Sequence, residues 1–313
     1  MRIVVAHHNP ASCERWRTAL AAELPDADVV IWDESAPKEA TYAIAWMAPS
    51  KAFFERQPGL KAFFSTGAGV EKLVASPFMP PDRHVIRLED AGMASQMARY
   101  CVGEALQWVR RSDAYAASQQ MQQWHPLPYE DLDQWPVGVF GLGVLGQQVA
   151  SAFVALGFTV NGYARSSHAL AGVRTFSAAG GAEEFASFLN ATRILVLLAP
   201  STPQTRDLFD RQTLAQLQPG ACVINVSRGD LLVDEALLAL LDSGHLAGAA
   251  LDVFRQEPLP PDHLFWKHPR IRITPHVSAI TVIEPSARQV AGKIRQLERG
   301  EAVTGIVDRV RDY

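Results

Sequence analysis

Cysteine is scarce in this chain of 313 residues: there are three, Cys13, Cys101 and Cys222, widely spaced and odd in number. They form no CxxC pair, no metal-ligand spacing and no disulfide framework. Neither a metal site nor a disulfide scaffold is expected, and a reducing cytoplasm is the simplest compartment. Long apolar runs are missing too, since no stretch approaches the roughly 20 residues of a membrane span. The opening run Ile3-Val4-Val5-Ala6 is too short for the core of a signal peptide and lacks a small-residue cleavage site. There is no basic excess: 29 Lys+Arg stand against 33 Asp+Glu, a formal charge of −4. That balance excludes a nucleic-acid footprint at whole-chain level and gives no reason to expect an anionic membrane surface as partner. Internal repeats and low-complexity tracts are absent.

What is present is an ordinary globular composition, 48% hydrophobic and 20% charged. The length suggests two domains. Strand and helix signals alternate along the first hundred residues. Ile3–Ala6, Asp28–Trp32, Tyr42–Trp46, Leu60–Ser65 and Val85–Leu88 read as strands, and Cys13–Leu24 as a helix with Trp16, Leu20 and Leu24 on one side. From Met97 to Gln123 there is no proline and a single glycine, which predicts one long helix bridging two lobes. Trp124–Trp135 is rich in Pro, Trp and acid and reads as an irregular arm.

A second series begins at Val137. Strands are expected at Val137–Gly141, Thr159–Tyr163, Ile194–Leu198, Cys222–Val226, Ala249–Val253 and Ile271–Ile273. Helices are expected at Val144–Leu156, Glu183–Asn190, Arg211–Leu217, Asp234–Ser243 and Glu284–Arg299. This βαβ punctuation argues for an α/β fold with parallel sheets.

The strongest motif is Gly141-Leu142-Gly143-Val144-Leu145-Gly146, which follows an expected strand and opens an expected helix. In that context the first glycine permits a tight turn and the second lets backbone approach a pyrophosphate. The third allows close packing of helix on strand, and the helix N-terminus favours phosphate. A glycine-rich turn with no ligand is the bland alternative.

The next strand ends in Ala164-Arg165-Ser166. The carboxylate that would hold the ribose 2′-OH of NAD is missing there, whereas a guanidinium and a hydroxyl suit a 2′-phosphate. NADPH is therefore favoured, with NADH possible. The bland alternative is a solvated surface arginine.

Three further residues follow the carboxyl ends of later strands: Arg228 in Asn225-Val226-Ser227-Arg228-Gly229, Glu257 in Gln256-Glu257-Pro258, and His276 in Thr274-Pro275-His276-Val277-Ser278. Ligands bind at that edge of open α/β sheets. An arginine can hold a carboxylate and polarise a neighbouring carbonyl. A histidine can protonate the oxygen that gains charge as hydride arrives, and a glutamate beside it would raise its pKa and fix its ring. Taken singly, each residue is as readily a strand cap or a solvated turn residue.

Together with Gly67-Ala68-Gly69-Val70-Glu71 and the segments LDVFRQEPLP and TPHVSAIT, these motifs stand in the order of a known family. The chain resembles the D-isomer-specific 2-hydroxyacid dehydrogenases. Within them it is most similar to the bacterial glyoxylate/hydroxypyruvate reductase subgroup of type A, which Arg87–Met93 and Val307-Asp308-Arg309 also resemble.

The resemblance implies two Rossmann-like lobes. A discontinuous, flavodoxin-like substrate lobe would comprise residues 1–100 and 281–313, and an NAD(P)-binding Rossmann lobe, residues 101–280, would be inserted between two crossing helices. It implies Arg228, Glu257 and His276 as the catalytic set. Leu198-Ala199-Pro200, Val226-Ser227, Asp252 and Ser278 would line the cofactor, with Asp252 at the nicotinamide amide. Gly67, Ala68, Gly69 and Val70 would offer N–H groups to the substrate carboxylate, with Trp46 and Arg87 in the substrate pocket. No metal is implied, and a homodimer is. The family commonly has Asp where Glu71 stands, and a carboxylate at a helix start explains either.

The expected function is NADPH-dependent reduction of small 2-oxo acids such as glyoxylate and hydroxypyruvate to D-2-hydroxy acids. The alternatives are an NAD-dependent dehydrogenase of the same fold with another substrate, and an NAD(P)H-sensing regulator.

Overall fold

The structure is a computed structural model describing residues 1–7, 9–33, 39–46, 49–67, 69–166 and 169–308. Ala68 and Arg309 lie outside the described residues. In chain order the elements are β1 (Arg2–Ala6), α1 (Pro10–Glu23), β2 (Asp28–Ile31), β3 (Tyr42–Ala45), α2 (Lys51–Arg56), β4 (Ala62–Ser65), α3 (Glu71–Val74), β5 (His84–Ile86), α4 (Met93–Val109), α5 (Ser112–Gln120), β6 (Val137–Phe140), α6 (Val144–Ala155), β7 (Val160–Ala164), β8 (Val173–Ser177), α7 (Gly181–Asn190), β9 (Ile194–Leu197), α8 (Arg211–Leu214), β10 (Ala221–Asn225), α9 (Asp234–Asp242), β11 (Leu246–Leu251), β12 (Ile271–Ile273) and α10 (Ile283–Glu298). They fall into two compact units, Met1–Met93 with Thr281–Tyr313, and Ala94–Ile280.

In the first unit five parallel strands pair in the order β2-β1-β3-β4-β5, the flavodoxin-like order. Helix α1 begins three residues before the expected Cys13. The Asn9 side chain accepts the Ser12 N–H at 3.1 Å, and Pro10 takes the first helical position, where its missing N–H leaves nothing unpaired. Its inner face buries Cys13, Trp16 and Leu20. Helix α10 returns from the other end of the chain to pack on α1, burying Ala287, Val290, Ala291 and Ile294 at helical spacing. Burying Val290 or Ile294 stabilises by about 2 kcal/mol, and each alanine by less. Lys293 on the same helix is also buried. Its ammonium meets Glu89 at 2.9 Å and the Thr304 carbonyl at 2.9 Å, which offsets its desolvation.

In the second unit seven parallel strands pair in the order β12-β11-β10-β9-β6-β7-β8. This is the six-stranded dinucleotide-binding order with one strand added at the edge, and β6 and β9 meet at its topological switch point. Strands β9 and β10 are buried on both faces. Leu195, Leu197 and Val223 join one core with Phe188 of α7, Leu214 of α8 and Leu237 of α9. Ile194, Val196, Cys222 and Ile224 join the other with Cys101 and Ala105 of α4 and Val149 and Phe153 of α6. This is the pattern of a parallel sheet covered by helices on both sides.

One expectation is corrected, and a strand is added. The single helix from Met97 to Gln123 is two helices, α4 and α5, broken at Arg111, whose φ is 53°. The apolar stripe that holds α4 ends near Val109, and α5 buries no residue, so nothing requires the helix to continue straight. Strand β8 has no counterpart in the sequence reading: it pairs on one side only, and its burial is partial, which leaves a short polar-apolar segment with little periodic signal. The arm after α5 is irregular up to a short 3-10 turn at Leu132–Gln134. Among the described residues no helix is long and apolar enough to cross a membrane. The three cysteines are free and buried.

Candidate active site

The functional residues of the second unit follow the carboxyl ends of β6, β9, β10, β11 and β12, and backbone contacts knit these turns together. The first turn, after β6, is built by two glycines with no room for a side chain. Gly141, at φ 110°, would place a Cβ 2.6 Å from the Ala199 nitrogen, and a Cβ on Gly146 would lie 1.8 Å from the Gly141 carbonyl oxygen. Gly143 differs: a Cβ there would meet nothing within 4 Å. It is exposed and caps α6 without any side-chain hydrogen bond. The result is an open cradle of backbone N–H groups at a helix N-terminus, which fits a pyrophosphate. Val144 is exposed beside it and Leu145 is partly buried. At the end of β7, Ala164 is buried while Arg165 and Ser166 are exposed, so the residues present there fit a phosphate rather than a bare ribose.

The turn after β9 carries Leu198, Ala199 and Pro200. Ser227 of the next turn donates its hydroxyl to the Ala199 carbonyl at 2.6 Å, and both residues are buried, as is Val226. Asn225 then clamps the turn that presents Arg228. Its amide donates to the Arg228 carbonyl at 2.9 Å and accepts the Ser227 N–H at 3.2 Å. The Arg228 guanidinium donates to the Ser227 carbonyl at 2.6 Å. Gly229 lets the 253–257 segment approach, since a Cβ there would lie 2.0 Å from the Phe254 carbonyl carbon. Arg255 fastens that segment from the other side through the Leu232 carbonyl, at 3.1 Å from its Nε.

Glu257 and His276 form the reactive pair. Glu257 Oε2 lies 2.8 Å from His276 Nδ1, and its Oε1 accepts the Phe254 N–H at 3.0 Å. Burial pushes the Glu257 carboxyl up, but the His276 and Phe254 hydrogen bonds and the charges of His276 and Arg228 outweigh it. The carboxyl is held below its ordinary value. The Arg228 charge is the smallest of the influences that hold this carboxyl down. His276 has a φ of 56°, a left-handed conformation that costs a non-glycine residue on the order of 1 kcal/mol.

Asp252 holds that conformation. Its backbone carbonyl accepts the His276 N–H at 2.8 Å, and its carboxylate accepts from Val277 N–H at 2.8 Å, Ser278 N–H at 2.9 Å and the Thr274 hydroxyl at 2.5 Å. The Asp252 side chain thus faces the chain's own 274–278 segment, and the residue is fully buried. Sequence reasoning missed Asn225, Thr274 and Arg255. Asn225 could have been flagged as a polar residue at the end of a buried strand, and Thr274 as one that follows a short apolar strand.

In the first unit the turn after β4 brings Trp46 and Gly67 together: a Cβ on Gly67 would lie 2.2 Å from the Trp46 ring. Ser65 Oγ accepts the Gly67 N–H and donates to the Gly69 carbonyl, both at 3.2 Å. Val70 is buried, and Glu71 is the first residue of α3. The Arg87 backbone N–H donates to the Gly305 carbonyl at 2.9 Å, and its charge helps hold the Glu89 carboxyl down.

Residues 102–278 match the family described as D-isomer specific 2-hydroxyacid dehydrogenase, NAD binding domain. The chain is 40% identical over 315 residues to the glyoxylate/hydroxypyruvate reductase A of Serratia proteamaculans, covering 99% of each chain. Among solved structures it is similar to an NADPH-dependent glyoxylate/hydroxypyruvate reductase of Sinorhizobium meliloti in complex with NADP and sulfate, at 34% identity and TM-score 0.91, covering 100% of this chain and 99% of that one. It is also similar to a D-isomer specific 2-hydroxyacid dehydrogenase of Xanthobacter autotrophicus in complex with NADPH and MES, at 36% identity and TM-score 0.92, covering 99% of each. With more than half of its length matched by the family and its full length aligned to these relatives, the chain belongs to the D-isomer specific 2-hydroxyacid dehydrogenases.

Proposed function

We propose that the chain reduces small 2-oxo acids, glyoxylate and hydroxypyruvate among them, to D-2-hydroxy acids with NADPH. The observation that carries this reading is the His276–Glu257 pair at 2.8 Å beside Arg228, on the sheet edge that also carries the glycine cradle. The 141–146 turn and the α6 N-terminus would hold the pyrophosphate, and Arg165 and Ser166 the 2′-phosphate. The 198–200 and 226–227 turns with Ser278 would line the rest of the cofactor.

The bound dinucleotide supplies hydride to the substrate's carbonyl carbon. The chain's own residues do the remainder. Arg228 pairs with the substrate carboxylate and draws electron density toward the carbonyl oxygen. As the C=O bond opens, its electron pair moves to that oxygen. Nε2 of protonated His276 gives the oxygen its proton and leaves a neutral imidazole. The remaining Nδ1–H stays bonded to Glu257, which fixes the tautomer and ring orientation. The 67–70 segment and the Trp46 ring, which packs against Gly67, are assigned to substrate binding in the first unit.

An NAD-preferring enzyme is not favoured, because Arg165 stands where an acidic residue would be needed, and the two similar structures hold NADP or NADPH. The sensor reading is not favoured either, because the full Arg/Glu/His set would have no task. Three free, buried cysteines suit a reducing cytoplasm. A homodimer using the Trp124–Trp135 arm is proposed from its exposed Trp124 and Tyr129.

The test is NADPH oxidation across a panel of 2-oxo acids, repeated with NADH. Turnover of glyoxylate and hydroxypyruvate with NADPH preferred is expected. Tight NADPH binding without turnover of any 2-oxo acid would defeat the reading.

A further inference from the structure

Behind His276 runs a chain of hydrogen bonds that the proposed reaction does not itself require. The Tyr100 hydroxyl, on α4, lies 2.7 Å from Thr274 Oγ1, which lies 2.5 Å from Asp252 Oδ1. The same carboxylate takes the N–H groups of Val277 and Ser278, the two residues after His276. Counting hydrogens fixes the direction. A carboxylate only accepts, so Thr274 gives its single hydroxyl hydrogen to Asp252. The oxygen of Thr274 can then only accept from Tyr100, whose hydroxyl is the donor at the head of the chain. Burial, with the charges of Asp252 and Glu104, pushes the Tyr100 phenol up despite the opposing Thr274 contact, so it remains a donor. Tyr100 polarises the Thr274 hydroxyl, which strengthens the Thr274–Asp252 bond and fixes the carboxylate in place beside the 274–278 backbone.

We infer that Tyr100 and Thr274 are positioning residues for proton transfer at His276: through Asp252 they lock its left-handed backbone and thereby aim Nε2. The inference rests on the proposed role of His276 as proton donor. It also gives the buried Asp252 carboxylate a task within the protein, as acceptor for Thr274, Val277 and Ser278. Thr274 is partly buried and Tyr100 half-buried, so neither is a free surface residue.

Three variants test it: Thr274→Val keeps the shape and removes the hydroxyl, Thr274→Ser keeps the hydroxyl, and Tyr100→Phe removes the head of the chain. Thr274→Val should lower kcat about 10- to 100-fold, since small misplacements of a reacting group have effects of that order. KM for glyoxylate and NADPH should stay within about twofold, because the change acts on the transition state alone. Thr274→Ser should restore kcat to within about threefold of wild type, and Tyr100→Phe should lose about three- to tenfold, as expected for one neutral hydrogen bond. In the cofactor-free protein, the ring ¹⁵N–¹H signals of His276 should shift and broaden in Thr274→Val and remain in place in Thr274→Ser. Unchanged kcat in both Thr274→Val and Tyr100→Phe, or unmoved His276 signals in both, overturns the inference. So does a raised KM with kcat intact. If Thr274→Val does not fold, Tyr100→Phe carries the same comparisons. Wild-type protein that turns over no 2-oxo acid would defeat the functional reading instead, and the His276 spectra would still decide the positioning claim.

Discussion

Nδ1 of His276 is 2.8 Å from Oε2 of Glu257, so Nε2 is the ring nitrogen left for chemistry. In the proposed reaction that nitrogen is the proton donor. Substituting His276→Gln should therefore cut kcat by about 10²- to 10⁴-fold, the usual range for a lost general acid. The dissociation constant for NADPH should change by no more than about twofold. Stopped-flow turnover and fluorescence titration check the two halves separately.

The Glu257 carboxyl is held below its ordinary value, with burial opposed and outweighed by the contacts to His276 and Phe254. A group whose folded pKa is depressed stabilises the fold above its unfolded pKa. That stabilisation is lost as pH falls through the folded value. The Tm gap between wild type and Glu257→Gln should hence be constant above about pH 5 and shrink below about pH 4.3, the unperturbed glutamate value. Calorimetry over that range checks it, and a gap that widens on acidification would contradict it.

Two glycines of one motif should respond differently to the same change. Gly146→Ala drives a Cβ to within 1.8 Å of the Gly141 carbonyl, whereas Gly143→Ala meets no protein atom within 4 Å. Gly146→Ala should lower Tm by about 5 °C or more, as overpacking of a rigid contact does. Gly143→Ala should keep the wild-type Tm and lose most of the stabilisation conferred by NADPH. Thermal melts with and without the dinucleotide separate the two effects.

Much of this was legible in the sequence because the signals are local and repeated. The βαβ alternation carried the parallel sheets, and Gly141–Gly146 between a strand and a helix carried the cradle. Arg228, Glu257 and His276 stood out because each follows an apolar strand. What was not legible depends on tertiary context. The kink at Arg111 arises where an apolar stripe ends, and no proline or glycine marks it. Strand β8 exists because β7 offers it a partner, and its own pattern is weak. The grip of Asp252 on the 274–278 segment joins residues over twenty positions apart, a pairing that spacing does not reveal.

Arg165 is exposed at the end of β7 and is assigned to the 2′-phosphate. Arg165→Ala should weaken NADPH by about 10- to 100-fold, the worth of charge-assisted hydrogen bonds, and leave NADH nearly unchanged. The ratio of kcat/KM for the two dinucleotides is the readout. Equal losses for both would remove Arg165 from cofactor selection.

The central claim is that this site reduces a 2-oxo acid with NADPH while His276 supplies the proton. It is tested most directly by following NADPH absorbance with glyoxylate and with hydroxypyruvate, for wild type and His276→Ala side by side at matched NADPH saturation. The account predicts turnover by the wild type at about 1 s⁻¹ or faster, within the ordinary range for enzymes, and at least a hundredfold less by the variant. Wild-type rates in His276→Ala, or no NADPH oxidation by the wild-type protein with either acid, would contradict it.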